Sequence, residues 1–248
     1  MARFDLLEPA MWTGATGIRA AFSLRNVQWN TERAISGLNL SVSTNDDRDV
    51  VLQNRELFYE SLGLSEQDVA RGRQVHGNTV HIVTEGGIHA DGDGFVTNTP
   101  GVAVSVMVAD CAAILLADRR AGVVGALHAG WRGTVAGIVA SGIQAMTLLG
   151  AHPSDIEAYI GPCISKACFE LGEEVASQFP DQYVDRTGTK PHADIRHWLK
   201  DQLLAENIAS KHIEIDTSCT FGDEDRYYSY RRQGDASGRM MALVWMPT

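Results

Sequence analysis

The chain is short of the residues that staple small folds. Its four cysteines, at 111, 163, 168 and 219, are too few and too scattered over 248 residues to form a disulfide framework. It also has no run of about 18 apolar residues, the minimum for a helix that crosses a bilayer. The first residues, Met1-Ala-Arg-Phe-Asp-Leu-Leu-Glu-Pro9, lack the apolar core and cleavage signature of a secretory leader. A cytoplasmic protein in a reducing compartment is therefore expected. Basic charge is scarce as well, with 21 Lys and Arg against 31 Asp and Glu, a formal net charge of −10. That balance weighs against nucleic acid, which demands a cationic face to displace counterions, and against an anionic membrane surface. Internal repeats, low-complexity tracts and an interdomain linker are all missing, so residues 1–248 are expected to form a single catalytic domain.

What remains is an ordinary globular composition, 44% hydrophobic and 21% charged, long enough to bury a sizeable core. Residues 17–45 read as short strands and turns. A helix is predicted over Val50–Leu62, with Asp46 or Asp47 at its start, where an acidic cap satisfies free amides. Residues 73–83 read as a strand carrying His76, with Gly77-Asn78 as a local turn or bulge. Valines at every second position from 102 to 108 predict a strand with one buried face. Residues 113–117 and 122–127 resemble neighbouring, largely buried strands. The glycine-bearing bend His128-Ala-Gly-Trp-Arg-Gly133 leads to a predicted helix over 134–149. Free amides at its start would favour an anion, although the glycines are explained as well by the turn alone. Another helix is predicted from about 192–194 to Asn207, with Ile195, Leu199 and Leu203 facing the core. Strands and helices mixed in this way predict an α+β fold, a layered α/β sandwich with mixed sheets and outer helices.

Three soft-metal ligands each follow an apolar run: His76, Cys111 and His128. Two imidazoles and a thiolate make a zinc set whose fourth tetrahedral position stays open for water or substrate. Taken singly, each residue is explained as readily by a core histidine or a buried thiol. Spacing alone does not bring them together. Asp110 precedes the thiolate and is a candidate proton carrier or support for a ligand histidine, or else a turn cap. A metal-free alternative has Cys111, activated by His128, attacking an acyl or amide carbon, and only His76 separates the two. Cys163 and Cys168, with four residues between them and no second paired motif, read as structural thiols, as does Cys219.

Five fragments occur in order: Gln74-Val-His-Gly77, Ala109-Asp-Cys111, His128-Ala-Gly-Trp-Arg-Gly133, Ile160-Gly-Pro162 and Ser229-Tyr-Arg-Arg232. Together they resemble the YfiH family, also called multicopper polyphenol oxidase (laccase-like) or peptidoglycan editing factor. The likeness extends from Leu38-Asn-Leu40 and Gln53-Asn-Arg55 to Gly238-Arg239. It implies a fold shared with the catalytic domain of cytotoxic necrotizing factor toxins. It also implies zinc, with copper as an alternative, held by residues that match His76, Cys111 and His128. The activity implied is phosphorolysis of purine nucleosides (adenosine, inosine, methylthioadenosine) together with adenosine deamination. The expected partners are therefore a small nucleoside and phosphate. Arg55, with Arg231 or Arg232, would bind phosphate, because guanidinium matches it bidentately. Asn39 would bind ribose or base. Alternatives are a hydrolase editing a peptidoglycan precursor, a laccase-like copper oxidase, and a zinc-stabilised binding protein without turnover. The chain departs from the family pattern where Phe22-Ser-Leu-Arg-Asn-Val27 replaces a glycine-rich stretch expected at the substrate-entry wall. It also lacks the usual proline after Ala-Asp-Cys-x.

Overall fold

The structure, a computed structural model, describes residues 3–14 and 17–248. In chain order the first strands are β1 (Leu6–Leu7), β2 (Arg19–Ser23), β3 (Val69–Arg71), β4 (Val80–Ile82) and β5 (Gly87–Ile88). Next come β6 (Gly94–Thr97), β7 (Ala103–Val108), β8 (Ala112–Asp118), β9 (Val123–Ala129) and β10 (Glu157–Ile160). The last are β11 (Val184–Asp185), β12 (His192–Ala193), β13 (Ile213–Ile215) and β14 (Met240–Trp245). The α-helices are α1 (Arg48–Leu62), α2 (Trp131–Val135), α3 (Ile138–Leu148), α4 (Glu173–Ala176), α5 (Ile195–Ala205) and α6 (Tyr230–Gln233).

Two six-stranded sheets dominate, ordered β1-β2-β14-β7-β3-β5 and β13-β10-β8-β9-β6-β4. Both are mixed: β3 runs parallel to β5 and β7 in the first, and β10 to β13 and β4 to β6 in the second. The sheets face one another across a core in which Val104, Val106 and Val108 of β7 meet Ala113 and Leu115 of β8. The alternate residues of β8, Ala112, Ile114 and Leu116, point the other way into a cluster with α3 and α5. On the far side of the first sheet, Phe58 and Tyr59 of α1 pack against Ala103 and Leu243. The result is a four-layer sandwich of helix, sheet, sheet and helix. A strand buried on both faces needs apolar residues at every position, which is why β8 and β9 read as unbroken hydrophobic runs.

Several predicted elements shift. Asp47 caps α1, accepting from the amides of Asp49 and Val50, and Gly63 ends the helix at φ 75°. The predicted helix over 134–149 is two helices, because Gly137 at φ 83° breaks the path between α2 and α3. The chain already becomes helical at Trp131, three residues before the expected start. α5 begins as expected, capped by Asp194, and buries Ile195, Leu199 and Leu203. Residues 73–83 are not one strand: only Val80–Ile82 join a sheet, and His76 sits in the preceding loop at φ 60°. Residues 22–27 lie outside the lining of the cavity described below, and Leu24, Asn26 and Val27 line a separate, smaller one. Phe22 is fully buried, and Arg25 donates to Glu224 O and Ser36 Oγ. Among the described residues, no helix is long and apolar enough to cross a membrane.

Leu127 shows how closely the second sheet and its helix layer meet. It is fully buried, and a Cβ added at Gly142 would lie 2.6 Å from its Cδ1. Leu127→Ala is expected to destabilise the fold by about 3 kcal/mol. The corresponding drop in Tm, roughly 6–12 °C, is measurable by thermal denaturation.

Candidate metal centre and its cavity

Strand register places the key residues at one edge of the second sheet. Ala112 of β8 pairs with Ala129 of β9, so Cys111, just before β8, lies beside His128 near the end of β9. Gly94 pairs with Leu127, which puts Asp93 next to His128, and the His128 N–H donates to Asp93 O at 2.7 Å. His76 arrives on the loop between β3 and β4. One donor atom from each of His76, Cys111 and His128 lies within 4.8 Å of the others. Among the described residues this is the one group of three or more such ligands.

Asp93 organises the group, and sequence reasoning missed it. Its buried carboxylate accepts the Nδ1–H of His128 at 2.8 Å and the amide N–H groups of His76 at 2.9 Å, Val75 at 3.1 Å and Gly77 at 2.7 Å. Burial opposes its charge, but the His128 and backbone hydrogen bonds outweigh that and hold the carboxyl below its ordinary range. These same bonds explain why residues 75–77 are not a strand: their donors are turned to a side chain instead of a ladder. The local signal was Asp91-Gly-Asp-Gly94, an acid flanked by glycines at the entry to a strand. The Cβ of any residue other than glycine at 92 or 94 would come within 2.6–2.9 Å of His81, Leu127 or Val80.

The donor set fits one soft or borderline metal ion. With Nδ1 engaged by Asp93, His128 turns Nε2 toward Cys111, the tautomer a metal requires. Glycine at 130 keeps the approach clear, since a Cβ there would lie 3.0 Å from Cys111 Sγ and 3.1 Å from the His76 ring. Gly133 lets α2 pack on the His76 loop, because its Cβ would sit 2.6 Å from Gly77 O. Burial pushes the Cys111 thiol up, but the His128 charge and hydrogen bonds from both imidazoles bring it down to about 6. Burial works against a charge on His128 too, yet Cys111 and Asp93 raise it to about 9. Without a metal, the centre is therefore a thiolate–imidazolium pair across the neutral range. Among the described residues no further set of three such ligands exists for more copper: His81, His89, His152, His192 and His197 hydrogen-bond to local backbone or side-chain groups, and His212 belongs to no such group.

The centre opens into a cavity of about 890 Å³. Its lining includes the apolar Met107, Trp131, Ile164, Phe169 and Ile195, the cations Arg55, Arg71, Arg73, Arg231 and Arg239, and the acids Asp110 and Asp235. Arg55 is not a surface ion pair. It is buried, its Nε donates to Leu40 O at 2.6 Å, and its terminal nitrogens have no hydrogen-bond partner among the described residues. Arg239, absent from the sequence candidates, packs on Tyr230 and lies within electrostatic reach of Cys111. Arg231 lines the cavity too, lying over the Phe169 ring and donating to Glu170 O. Arg232 does not: it donates to the carbonyls of Thr220, Phe221 and Tyr227.

Two further candidates take different roles. Asn39 is not open to a sugar or base. It is fully buried, donating to Thr44 and Asp46 and accepting from the amides of Ser41 and Arg239. Asp110 lines the cavity, but its carboxylate already accepts from Thr220 Oγ1 at 2.7 Å, Ser229 Oγ at 3.0 Å and the Arg231 amide at 2.6 Å. The residue that holds a ligand histidine is Asp93, not Asp110. With φ at 84°, Asp110 instead fixes the tight turn that presents Cys111. The start of α2 is a single short turn capped by Gly130, without a side-chain bond.

Comparison with known proteins agrees with this architecture. Residues 19–247 match the family described as multi-copper polyphenol oxidoreductase laccase. A purine nucleoside phosphorylase of Deinococcus radiodurans is 38% identical over 218 residues, covering 86% of this chain and 83% of that protein. An adenosine deaminase from an unknown prokaryotic organism is 33% identical over 244 residues, 91% of this chain and 93% of its own. The crystal structure of the Bacillus licheniformis hypothetical protein YfiH superposes with a TM-score of 0.90 at 25% identity, covering 98% and 97% of the two chains.

Two outcomes follow from the geometry. Asp93→Asn keeps the size but turns an amide N–H₂ toward donors, so metal affinity should fall about 10–100-fold, the usual cost of losing a carboxylate behind a ligand histidine. Competition with a chromogenic chelator would measure it, and unchanged affinity would contradict the role given to Asp93. Protons give the second. Between pH about 6 and about 9 the metal-free thiol is ionised and His128 is protonated, and a metal needs the thiolate and a neutral imidazole. Binding in that window should release the His128 proton, with that contribution vanishing as pH rises through about 9. Calorimetry in buffers of different ionisation enthalpy counts it, with His128→Ala as the reference.

Proposed function

The chain belongs to the multi-copper polyphenol oxidoreductase laccase family, and from that membership we propose that it is a purine nucleoside phosphorylase that also deaminates adenosine. The observation that carries this reading is a His–Cys–His group, single among the described residues, opening onto a cavity lined by both apolar side chains and arginines. Phosphorolysis asks for that combination: a dry surface for a purine and cations that align phosphate with the ribose carbon. The names of the relatives support the same chemistry.

Each wall has a part to play. Phe169, Trp131 and Ile164 offer the purine ring apolar contact and exclude water from the reacting bond. Arg55 supplies unpartnered guanidinium nitrogens to phosphate, its orientation held by Leu40 O. Arg239 adds a second charge nearer the thiolate, steadied by Ser237 O and Gly238 O. Arg231 lends charge at the mouth. Asp110 positions the Cys111 turn and the Arg231 backbone, and Asn39 positions the Arg239 backbone. His76, Cys111 and His128 would hold the ion, which we assign as zinc; copper would suit the same donors and stands higher in the affinity order. When bound, the metal would supply Lewis acidity. The Cys–His hydrolase reading is weaker, since it gives His76 no task although the loop is built to deliver that ring.

Turnover of adenosine and inosine by metal-analysed protein, with and without phosphate, tests the proposal. Phosphate-dependent release of adenine or hypoxanthine, lost in Cys111→Ala, is the expected result. Phosphate-independent inosine from adenosine reports the deaminase. Failure of both in protein carrying one zinc would remove the nucleoside reading. Arg55→Lys keeps the charge but loses the planar fork, and should raise KM for phosphate at least about tenfold while leaving KM for nucleoside nearly unchanged.

A further inference from the structure

Outside the metal centre, two cysteines lie together behind the apolar wall of the cavity. An isolated parallel bridge joins the backbone at Cys163 and Cys219, and the Ser165 N–H donates to Cys219 Sγ at 3.3 Å. The chain then turns on itself, with the Cys168 N–H donating to Ser165 O at 2.9 Å. That turn brings Cys168 alongside Cys219, near enough for each thiol to influence the other's ionisation. Both are partly accessible and both are reduced.

The third thiol nearby is set apart. Cys163 is fully buried, and that burial pushes it up to about 11 despite Arg196 beside it. Burial also acts against ionisation of Cys219, but the Ser165 hydroxyl and the amides of Ser165 and Gly222 outweigh it and hold the thiol below its ordinary value. Cys219 is thus the nucleophile of the cluster and Cys168 its neighbour.

The geometry points to Cys168 and Cys219 as a reversible dithiol–disulfide pair, oxidised by a hydroperoxide, that stiffens the cavity wall formed by Ile164 and Phe169. This goes beyond the nucleoside chemistry and does not depend on it. Cys219 thiolate attacks the terminal oxygen of the hydroperoxide; the O–O bond breaks, and the leaving oxygen takes up a proton to depart as water or alcohol. Cys219 is left as a sulfenic acid. Cys168, its proton passing to the departing hydroxyl, attacks the Cys219 sulfur, the S–O bond breaks, and water leaves. Two thiols are oxidised by two electrons and one hydroperoxide is reduced. Closure draws the sulfurs to about 2.0 Å and ties residues 165–168 to Cys219. Ile164 and Phe169 flank that tied segment and line the cavity. The neighbouring Thr220 bonds Asp110 at 2.7 Å, and the Ile164 N–H donates to Asp110 O at 2.9 Å.

The test exposes the full-length protein to hydrogen peroxide, blocks remaining thiols, and maps linked peptides by mass spectrometry. The expected result is a Cys168–Cys219 linkage, restored to two free thiols by dithiothreitol. Cys168→Ser should leave a sulfenic acid at Cys219 that dimedone traps, and Cys219→Ser should abolish linkage. Linkage of Cys219 to Cys163 or Cys111, or none at all, would overturn the pair. Hydrogen exchange across residues 164–169 should slow in the oxidised form and recover on reduction. Unchanged exchange there, with the disulfide formed, would overturn its effect on the wall.

Discussion

Both histidines of the candidate metal centre hang on one buried carboxylate. Asp93 receives four N–H groups, three from consecutive residues of one loop and one from the His128 ring. A buried charge is tolerable only when its lone pairs are met in this way. The consequence runs in two directions. The loop carrying His76 takes its unusual backbone path because its amides converge on Asp93, and the His128 ring is locked in the tautomer that leaves Nε2 free. The same residue thus positions two of three ligands from separate parts of the chain. Its own place comes from the pairing of β6 with β9, so the ligand geometry inherits the precision of the sheet. Glycines complete the arrangement by absence of bulk, at Gly130 beside the donors and at Gly133 against Gly77.

How much of this was legible in the sequence depends on the kind of signal. The period-two valines of β7 and the apolar runs of β8 and β9 announced themselves, because burial on one or both faces leaves a direct mark on composition. The mixed-sheet sandwich with outer helices followed from them. His76, Cys111 and His128 stood out by chemistry; strand register brings Cys111 and His128 together, and Asp93 draws the His76 loop onto them. The path of the His76 loop was hidden, since its hydrogen bonds go to a side chain 16–18 residues away and no local pattern encodes that. The break at Gly137 was hidden for a different reason: a glycine within a helical pattern is tolerated more often than it terminates. Asp110 and Asn39 illustrate a third limit. Their residue types suit catalysis and binding, but only the structure shows their polar atoms already occupied.

The charge balance deepens the functional argument. A chain with a net charge of −10 places five arginines around one cavity. Arg71 and Arg73 pair with Glu66 and Asp91, whereas Arg55 keeps its charge in the lining although burial opposes it. Cations held in a partly desolvated wall act on an anion far more strongly than the same groups in water. The acidic exterior lowers nonspecific attraction of polyanions, while the cavity retains affinity for a small one. The donor inventory points the same way. Electron transfer among several coppers needs several ligand sets, and the described residues gather one. The family's oxidase description and relatives named for phosphorolysis and deamination thus meet on one scaffold, so the chemistry has to be argued from the site and not from the fold.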